Sequence, residues 1–69
     1  MKHSFSIYAF QFCERGVWKW SLPFPAVNSS AAREAVKSLF SEIGSVLLYE
    51  IGEYQDGIIT PLEHIEVEL

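Results

Sequence analysis

The sequence predicts an α+β domain, in which a small antiparallel sheet with the element order β-β-α-β-β carries one helix packed on one face. Three observations predict this fold: strand-like alternation at both ends of the chain, one central segment with helical spacing, and two short turns that contain glycine. The chain has 69 residues, of which 49% are hydrophobic and 14% aromatic. We therefore expect a single folded domain, residues 1–69, rather than a disordered chain.

The first two strands are predicted to form a hairpin. The segment "SFSIYAFQFC" (residues 4–13) is rich in aromatic and β-branched residues, and "VWKWSL" (residues 17–22) alternates with both tryptophans on one face. Gly16 supplies the positive φ that a tight turn between them requires. The "PFP" run (residues 23–25) is expected to end the second strand, because proline has no N–H to donate to a neighbouring strand.

The segment "NSSAAREAVKSLFSEIG" (residues 28–44) is predicted to be the helix. Asn28, Ser29 or Ser30 can cap its first turn, and Gly44 is a natural left-handed stop. Six apolar residues follow the i, i+3, i+4, i+7 spacing and form one stripe that faces the sheet. They are Ala32, Ala35, Val36, Leu39, Phe40 and Ile43.

A second hairpin follows the helix. Residues 45–54 have strand character, and Gly52 within them indicates a bulge or a close backbone approach. The Asp56–Gly57 pair predicts a tight turn. A short strand, "IIT", ends at or near Pro61, and "HIEVEL" (residues 64–69) forms a last strand with one acidic face.

One helix covers only part of such a sheet, so we expect aromatic surface on the other face. The aromatic residues assigned to it are Tyr8, Phe10, Phe12, Trp18 and Trp20. A domain of this size buries only about 60% of its unfolded surface. The single cysteine excludes an internal disulfide, so oligomerisation remains the expected source of further stability. We predict a homodimer.

Charge is divided along the chain. Residues 1–37 contain five Lys or Arg and two Glu, for a net +3, whereas residues 38–69 contain seven acidic residues and no Lys or Arg. The overall charge of −4 disfavours general binding to nucleic acid, because phosphate neutralisation dominates that affinity. The division still allows one basic face, or head-to-tail pairing between subunits. No apolar run approaches the roughly 20 residues of a membrane helix, and we expect no membrane contact.

The residues predict no enzyme, no cofactor and no metal site. Cys13 and the two histidines are scattered, and a small apolar strand residue is the favoured interpretation of Cys13. Glu50 and Glu53 lie three residues apart on a predicted strand, so we expect them on opposite faces, which is unsuitable for a paired acid and base.

Two sets of candidate binding residues remain. The hairpin "ERGVWKW" combines Arg15, Trp18, Lys19 and Trp20, and aromatic and cationic side chains together are typical of single-stranded nucleic-acid sites. The alternative for both tryptophans is a place in the core or in a dimer interface. The acidic end "EHIEVEL" can dock a basic partner or mimic phosphate, or it can be only a solvated face. Its candidate residues are Glu63, Glu66 and Glu68.

Three segments resemble the small nonstructural protein of gokushovirus-type microviruses, which are single-stranded DNA phages. They are "FSIYAF", "LPFPAVNSSAAREAVKSLF" and above all "LYEIGEYQDGIITPLE". They are similar to that family's "SIYD"-like strand, its "PF" before an "A-x-R-x-F"-like helix, and its "LFEIGEFDD-x-TG"-like segment. The chain departs from the pattern at Ala9, in its Trp-rich hairpin, and before Ser45, where an "HPED"-like insertion is missing.

The resemblance implies a non-enzymatic phage protein that is absent from the virion and acts in the host cytoplasm. It implies a role in viral DNA replication at the switch to single-stranded genome synthesis. Our leading hypothesis is that the chain binds replication proteins or single-stranded DNA, and its acidic charge favours proteins over DNA. Glu50, Glu53 and Tyr54 are the residues of the third segment left for partner recognition. The alternative is an acidic protein-binding inhibitor of a host factor, based on the seven acidic residues after Lys37.

Overall fold

The structure is a computed structural model that describes residues 4–40 and 45–69. It is a small antiparallel sheet with one helix, and strands make up most of the described residues. The elements in chain order are β1 (Ser4–Glu14), β2 (Val17–Trp20), β3 (Phe24–Ala26), α1 (Ser29–Leu39), β4 (Val46–Gln55) and β5 (Ile58–Val67).

The sheet has the strand order β2-β1-β4-β5, with β3 paired to β1 outside this path. Strand β2 pairs with the second half of β1, and β3 pairs with residues 6–8 of β1. The predicted order β-β-α-β-β is therefore not confirmed, because a third strand precedes the helix. The sequence pattern missed β3 because Pro23, just before it, and Pro25, within it, are typical of a strand end, yet a short edge strand tolerates proline where no N–H is needed.

The second hairpin also differs from its prediction. The two short segments expected after the Asp-Gly turn belong to one strand of ten residues, β5, which continues through Pro61. Its pairing with β4 shifts register between Glu50 and Gly52. The proline lies on the sheet's last strand, where the ladder can lose a hydrogen bond on the open side.

Both hairpin turns place two successive residues at positive φ. The values are 53° and 78° for Arg15 and Gly16, and 48° and 88° for Asp56 and Gly57. This pattern suits the right-handed twist of the flanking strands, and it normally selects Asn, Asp or Gly. The Asp-Gly turn is therefore confirmed, and the first turn uses the glycine that the sequence indicated but adds an arginine in a costly conformation.

The helix begins where the sequence predicts. Of the three candidate caps the structure uses Asn28, whose side-chain oxygen accepts a hydrogen bond of 2.9 Å from the amide of Ala31. The helix ends at Leu39, and Phe40 is already extended with φ −126° and ψ 132°. The predicted stop at Gly44 and the stripe residue Ile43 lie outside the described residues.

The core lies between the helix and one face of β1 and β4. Ala32 and Val36 from the helix stripe are fully buried, whereas Ala35 and Leu39 are exposed, so the stripe is only partly covered. The sheet contributes four buried side chains, and Phe12, Phe24, Ala26, Phe40, Val67 and Leu69 pack around them. Those four are Tyr8, Phe10, Val46 and Leu48.

A bulge interrupts β4 at Ile51. Ile7 pairs with Gly52 and the next residue, Tyr8, pairs with Glu50, so Ile51 is the extra residue. An ideal Cβ on Gly52 would lie 3.2 Å from the carbonyl oxygen of Thr60. The predicted bulge and close backbone approach at Gly52 are therefore confirmed.

Candidate binding surface

The sheet has one face that the helix does not cover, here called the helix-free face. Two residues directly opposite each other on neighbouring strands point their side chains to the same face of the sheet. Successive residues along one strand point to opposite faces. Ala9 of β1 lies on this face, opposite Tyr49 of β4. Every second residue along β1, and the residues paired with them, therefore lie on the same face. The main residues of the helix-free face are Phe5, Ile7, Ala9, Cys13, Trp18, Trp20, Tyr49, Tyr54, Ile59, His64 and Glu66.

Three rings from three strands form a cluster on this face. The ring centroids of Trp20 and Tyr49 are 5.5 Å apart, those of Trp20 and His64 are 5.5 Å apart, and those of Tyr49 and His64 are 6.1 Å apart. Ala9, which is only 3% exposed, lines one cavity with Trp20 and His64. A small residue in the centre of the sheet thus gives three large rings room to converge.

The apolar surface continues along the other half of the helix-free face. Phe5 and Tyr54 stack with their ring centroids 4.5 Å apart and an interplanar angle of 13°. Both line a groove that also contains Ile7, Pro25 and Ile59. The helix-free face is therefore aromatic or aliphatic over most of its length.

The tryptophans at the edge of this face are half exposed. Trp18 is 49% exposed and Trp20 is 48% exposed, and their pairing with Cys13 and Gln11 places both on the helix-free face. The predicted aromatic surface is thus confirmed for the tryptophans. It is wrong for Tyr8, Phe10 and Phe12, which alternate to the opposite face and pack in or around the core under the helix.

The nucleic-acid candidates are only partly brought together. Lys19 pairs with Phe12, so it lies on the helix side, and its Nζ is 3.1 Å from a carboxylate oxygen of Glu14. Arg15 occupies the hairpin turn beyond Trp18. Trp18 and Trp20 therefore share the helix-free face, Arg15 lies in the turn at its end, and Lys19 lies on the opposite face of the sheet.

The bulge at Ile51 changes the placement of two acidic candidates. Glu50 pairs with Tyr8 and Glu53 pairs with Ser6, and these two β1 residues point to the same face. The prediction that Glu50 and Glu53 face opposite sides is therefore wrong, because the extra residue shifts the alternation by one. A bulge depends on pairing with distant strands, so the local pattern gave no sign of this consequence.

Glu50 has a defined partner. Its carboxylate accepts a hydrogen bond of 3.3 Å from the hydroxyl of Tyr8. Burial is the largest cause that raises the pKa of Tyr8 above its ordinary value of 10.0, a hydrogen bond with Ser6 opposes it, and the charge of Glu50 adds to the increase. The phenol therefore stays protonated and donates, which favours a structural role for Glu50.

The other acidic candidates are distributed over both faces. Glu53 is exposed on the helix side, whereas Tyr54 lies on the helix-free face. Glu66 pairs with Tyr49, which places it on the helix-free face, and Glu68 is exposed just beyond the end of β5. Glu63 lies in the irregular stretch of β5 and is exposed. Of these candidates, the strand pairing thus places Glu66 on the β5 side of the helix-free face.

Sequence reasoning missed two members of the ring cluster, Tyr49 and His64. The sequence pattern placed each of them on a strand, but it did not predict which side chains of other strands they contact. Their meeting with Trp20 depends on the order of the four strands and on the shifted register of β5, which no local pattern encodes.

A second apolar surface lies on the helix side. A groove of about 390 Å³ runs between the helix and the chain that leaves β2, and its lining includes Leu22, Phe24, Ala35 and Leu39. Leu22 and Leu39 are largely exposed there.

No protein-family model, curated protein or solved structure matches this chain. Within residues 4–40 and 45–69, no helix is long and apolar enough to cross a membrane. Among the same residues, no three His, Cys, Asp or Glu side chains are grouped so that they could hold a metal ion.

Proposed function

We propose that this chain is a non-enzymatic protein-binding domain and that the helix-free face is its binding surface. The observation that carries the proposal is the pair of half-exposed tryptophans, Trp18 and Trp20, which continue into further aromatic side chains on the sheet face that the helix does not cover. Contiguous apolar patches of this kind on small proteins mark interaction sites. Trp and Tyr are enriched at such sites because they bury large areas and keep a polar group for hydrogen bonding.

Charge favours a protein over a nucleic acid as the ligand. Single-stranded nucleic-acid sites combine stacking rings with a cationic groove that follows the backbone. Among the residues that the structure describes, Arg15 is the cation at the end of this surface, whereas Lys19 faces away and pairs with Glu14. Glu66 lies beside Tyr49. A phosphate chain along these rings would therefore meet negative charge at β5.

Single-stranded DNA is the second candidate ligand, because three rings on one face form a surface on which bases can stack. Stacking of this kind contributes about 1–3 kcal/mol per base. Under this alternative Trp18, Trp20 and Arg15 are the binding residues.

The proposed setting is a phage-infected cell. The resemblance of "LYEIGEYQDGIITPLE" and two further segments to the nonstructural protein of gokushovirus-type microviruses supports it. We accordingly propose action in the host cytoplasm, in viral DNA replication and single-stranded genome synthesis, through contacts with replication proteins. An inhibitor of a host factor remains the alternative, and the acidic residues of the edge strand β5 support it.

The first experiment compares two variants with the same type of substitution on different surfaces. Trp18→Ala truncates a residue of the helix-free face, and Leu22→Ala truncates an exposed residue of the helix side. Each is tested for binding to the purified replication initiator of a gokushovirus and, separately, to labelled oligo-dT at low salt. We expect the initiator to bind wild type and Leu22→Ala, and to bind Trp18→Ala more weakly.

The outcomes separate the candidates. Salt-sensitive binding of oligo-dT that Trp18→Ala weakens, without binding of the initiator, would replace the protein ligand with single-stranded DNA. Equal loss of initiator binding in both variants would contradict the assignment of the helix-free face. For the host-factor alternative, reversing Glu63, Glu66 and Glu68 to Lys should abolish inhibition of the host target.

A further inference from the structure

The sheet curls over the helix-free face. Strands β2 and β5 are the outer strands of the order β2-β1-β4-β5, so in a flat sheet they would lie about 14 Å apart. The ring centroids of Trp20 on β2 and His64 on β5 are nevertheless only 5.5 Å apart. The face is therefore concave, and a single extended chain fits such a concavity better than a second sheet does.

Two neighbouring pockets lie in this concave face. The first pocket has a volume of about 220 Å³, and its lining includes Ala9, Trp20, Pro23, Ile51 and His64. The second pocket has a volume of about 290 Å³, and its lining includes Phe5, Ile7, Pro23, Pro25, Tyr54 and Ile59. Because Pro23 lines both, the pockets are adjacent parts of one groove. Aromatic rings, proline rings and aliphatic side chains form most of its walls.

The spacing of the two pockets matches one turn of a polyproline II helix. On β1 the first pocket lies over Ala9, and the second lies over Phe5 and Ile7, whose midpoint is three residues away. On β4 the corresponding residues, Ile51 and Tyr54, are also three apart, so the pockets are about 10 Å apart along the strands. A polyproline II helix repeats every three residues, or about 9 Å. A β-strand repeats its side chains on one face at about 7 Å and 13 Å, which fits this spacing less well.

The groove also offers hydrogen-bond donors to such a ligand. A polyproline II helix has no internal hydrogen bonds, so its carbonyl groups accept from a partner. The indole N–H of Trp20 and the hydroxyl of Tyr54 lie at the two pockets. Within residues 4–40 and 45–69, neither group donates a hydrogen bond to another part of the chain. Grooves lined by aromatic rings bind proline-rich segments in this way, and the preformed helix loses little entropy on binding.

Charge complementarity specifies one more residue of the ligand. Glu66 lies on the helix-free face opposite Tyr49, two residues along β5 from His64 of the first pocket, or about 7 Å. It is exposed, and it forms no ion pair with another described residue. A Lys or Arg next to the proline in the first pocket can therefore reach Glu66, whereas an acidic residue there would be repelled.

We propose that a proline-rich segment of a partner protein binds in this groove as a polyproline II helix. Two of its prolines, three residues apart, occupy the first and second pockets, and a neighbouring Lys or Arg pairs with Glu66. This rests on the proposed function, which makes the helix-free face a protein-binding surface, and it specifies the kind of segment that the face binds.

The test is a titration of the ¹⁵N-labelled full chain with short synthetic peptides, followed by the two indole N–H signals in nuclear magnetic resonance spectra. The probe is an alanine- and proline-based peptide with two prolines three residues apart and an arginine beside one of them. It is made with the arginine at either end, because the pocket spacing is the same for both chain directions. We expect one version to shift the Trp20 signal saturably by about 1 mM peptide, and to shift the Trp18 signal less.

Two altered peptides test the spacing and the charge. A peptide whose prolines are two residues apart turns them to different sides of the helix, so we expect binding at least about tenfold weaker. A peptide with glutamate in place of arginine should also bind more weakly. Glu66→Gln should reduce affinity for the arginine peptide by up to about fivefold, as for an exposed ion pair, and should leave binding of an alanine version unchanged.

Variants of the chain test each pocket. Trp20→Ala should weaken the arginine peptide at least about tenfold, and the indole signal that it removes identifies Trp20. Ile59→Ala truncates the second pocket and should weaken binding about fivefold. Ile58→Ala is its matched control, because Ile58 is 68% exposed against 63% for Ile59 but pairs with Gln55 on the helix side, so it should bind as the wild type does. If Trp20→Ala is unfolded by circular dichroism, the two isoleucine variants still decide the test.

Several results would overturn the proposal. A Trp20 signal that no peptide shifts, equal affinity for both proline spacings, or equal losses in Ile58→Ala and Ile59→Ala would each exclude a polyproline II ligand in this groove. If the replication initiator then shifts the tryptophan signals, the proposed function stands without this ligand. Shifts that follow protein concentration alone would assign the groove to a second copy of the chain. Shifts with oligo-dT, and with neither peptide nor initiator, would remove the proposed function as well.

Discussion

Leu48 is the position at which the structure makes its most quantitative prediction. Its side chain is fully buried at the centre of the core, on β4, while Leu39 at the end of the helix is 67% exposed. The same substitution, Leu→Ala, can therefore be made at both sites. Since it removes the same atoms each time, the difference in the free energy of unfolding measures burial.

The expected magnitudes differ several-fold. Leu→Ala at a fully buried site costs about 2.7–5 kcal/mol, because transfer and cavity terms add. Leu39 has only a third of its side chain covered, so we expect a loss below about 1 kcal/mol, and alanine's high helix propensity reduces it further. A core of this size supplies about 3–5 kcal/mol in total, so Leu48→Ala should be largely unfolded.

Urea titrations followed by far-ultraviolet circular dichroism measure both variants. Protein concentration must be equal in all titrations, because any self-association would add to the apparent stability by mass action. If Leu48→Ala is already unfolded without urea, Val36→Ala provides a milder loss at a second fully buried site. Equal losses at Leu48 and Leu39 would refute the packing of the helix on this face of the sheet.

Three further predictions concern local structure. Asn28→Ala should lose about 1 kcal/mol, because it removes the cap on the amide of Ala31, while Ser29→Ala should change stability little; urea midpoints measure both. Gly57→Ala, at φ 88°, should lose about 1 kcal/mol through strain in the turn, which a thermal melt detects. Tyr8→Phe should lose less stability at alkaline pH than the wild type. Because the pKa of Tyr8 is raised in the folded state, this phenol's contribution to stability is fully present below pH 10.0 and is lost as the pH rises through the folded-state pKa. Urea midpoints at increasing alkaline pH should therefore fall less for Tyr8→Phe than for the wild type.

The sequence correctly predicted the features that depend only on residues close together in the chain. The two hairpin turns follow from Gly16 and the Asp56–Gly57 pair, and the helix start follows from Asn28. Each of these depends on backbone preferences or on hydrogen bonds within about four residues. The same holds for the shared face of Trp18 and Trp20, which requires only alternation along four residues.

The errors arose where distant strands decide the outcome. The extra residue Ile51 changes the face of Glu53 relative to Glu50, and the pairing of β3 to β1 makes a strand of a proline-rich segment. The ring cluster of Trp20, Tyr49 and His64 likewise requires three strands in a given order. Alternation specifies two faces for each strand, but it does not specify which strands are neighbours or where a register shifts.

The lengths of the elements explain why one face of the sheet is left uncovered. A helix of 11 residues is about 17 Å long, whereas strands of 10 or 11 residues extend about 33–36 Å. One helix thus covers about half the length of one face and none of the other. Exposed aliphatic residues at the start of β5, Ile58 and Ile59, and the tryptophans of β2 lie where this cover is missing. One short helix therefore leaves the aromatic side chains of the helix-free face without a covering layer of this chain's own described residues, and under the proposed function a bound partner would cover them.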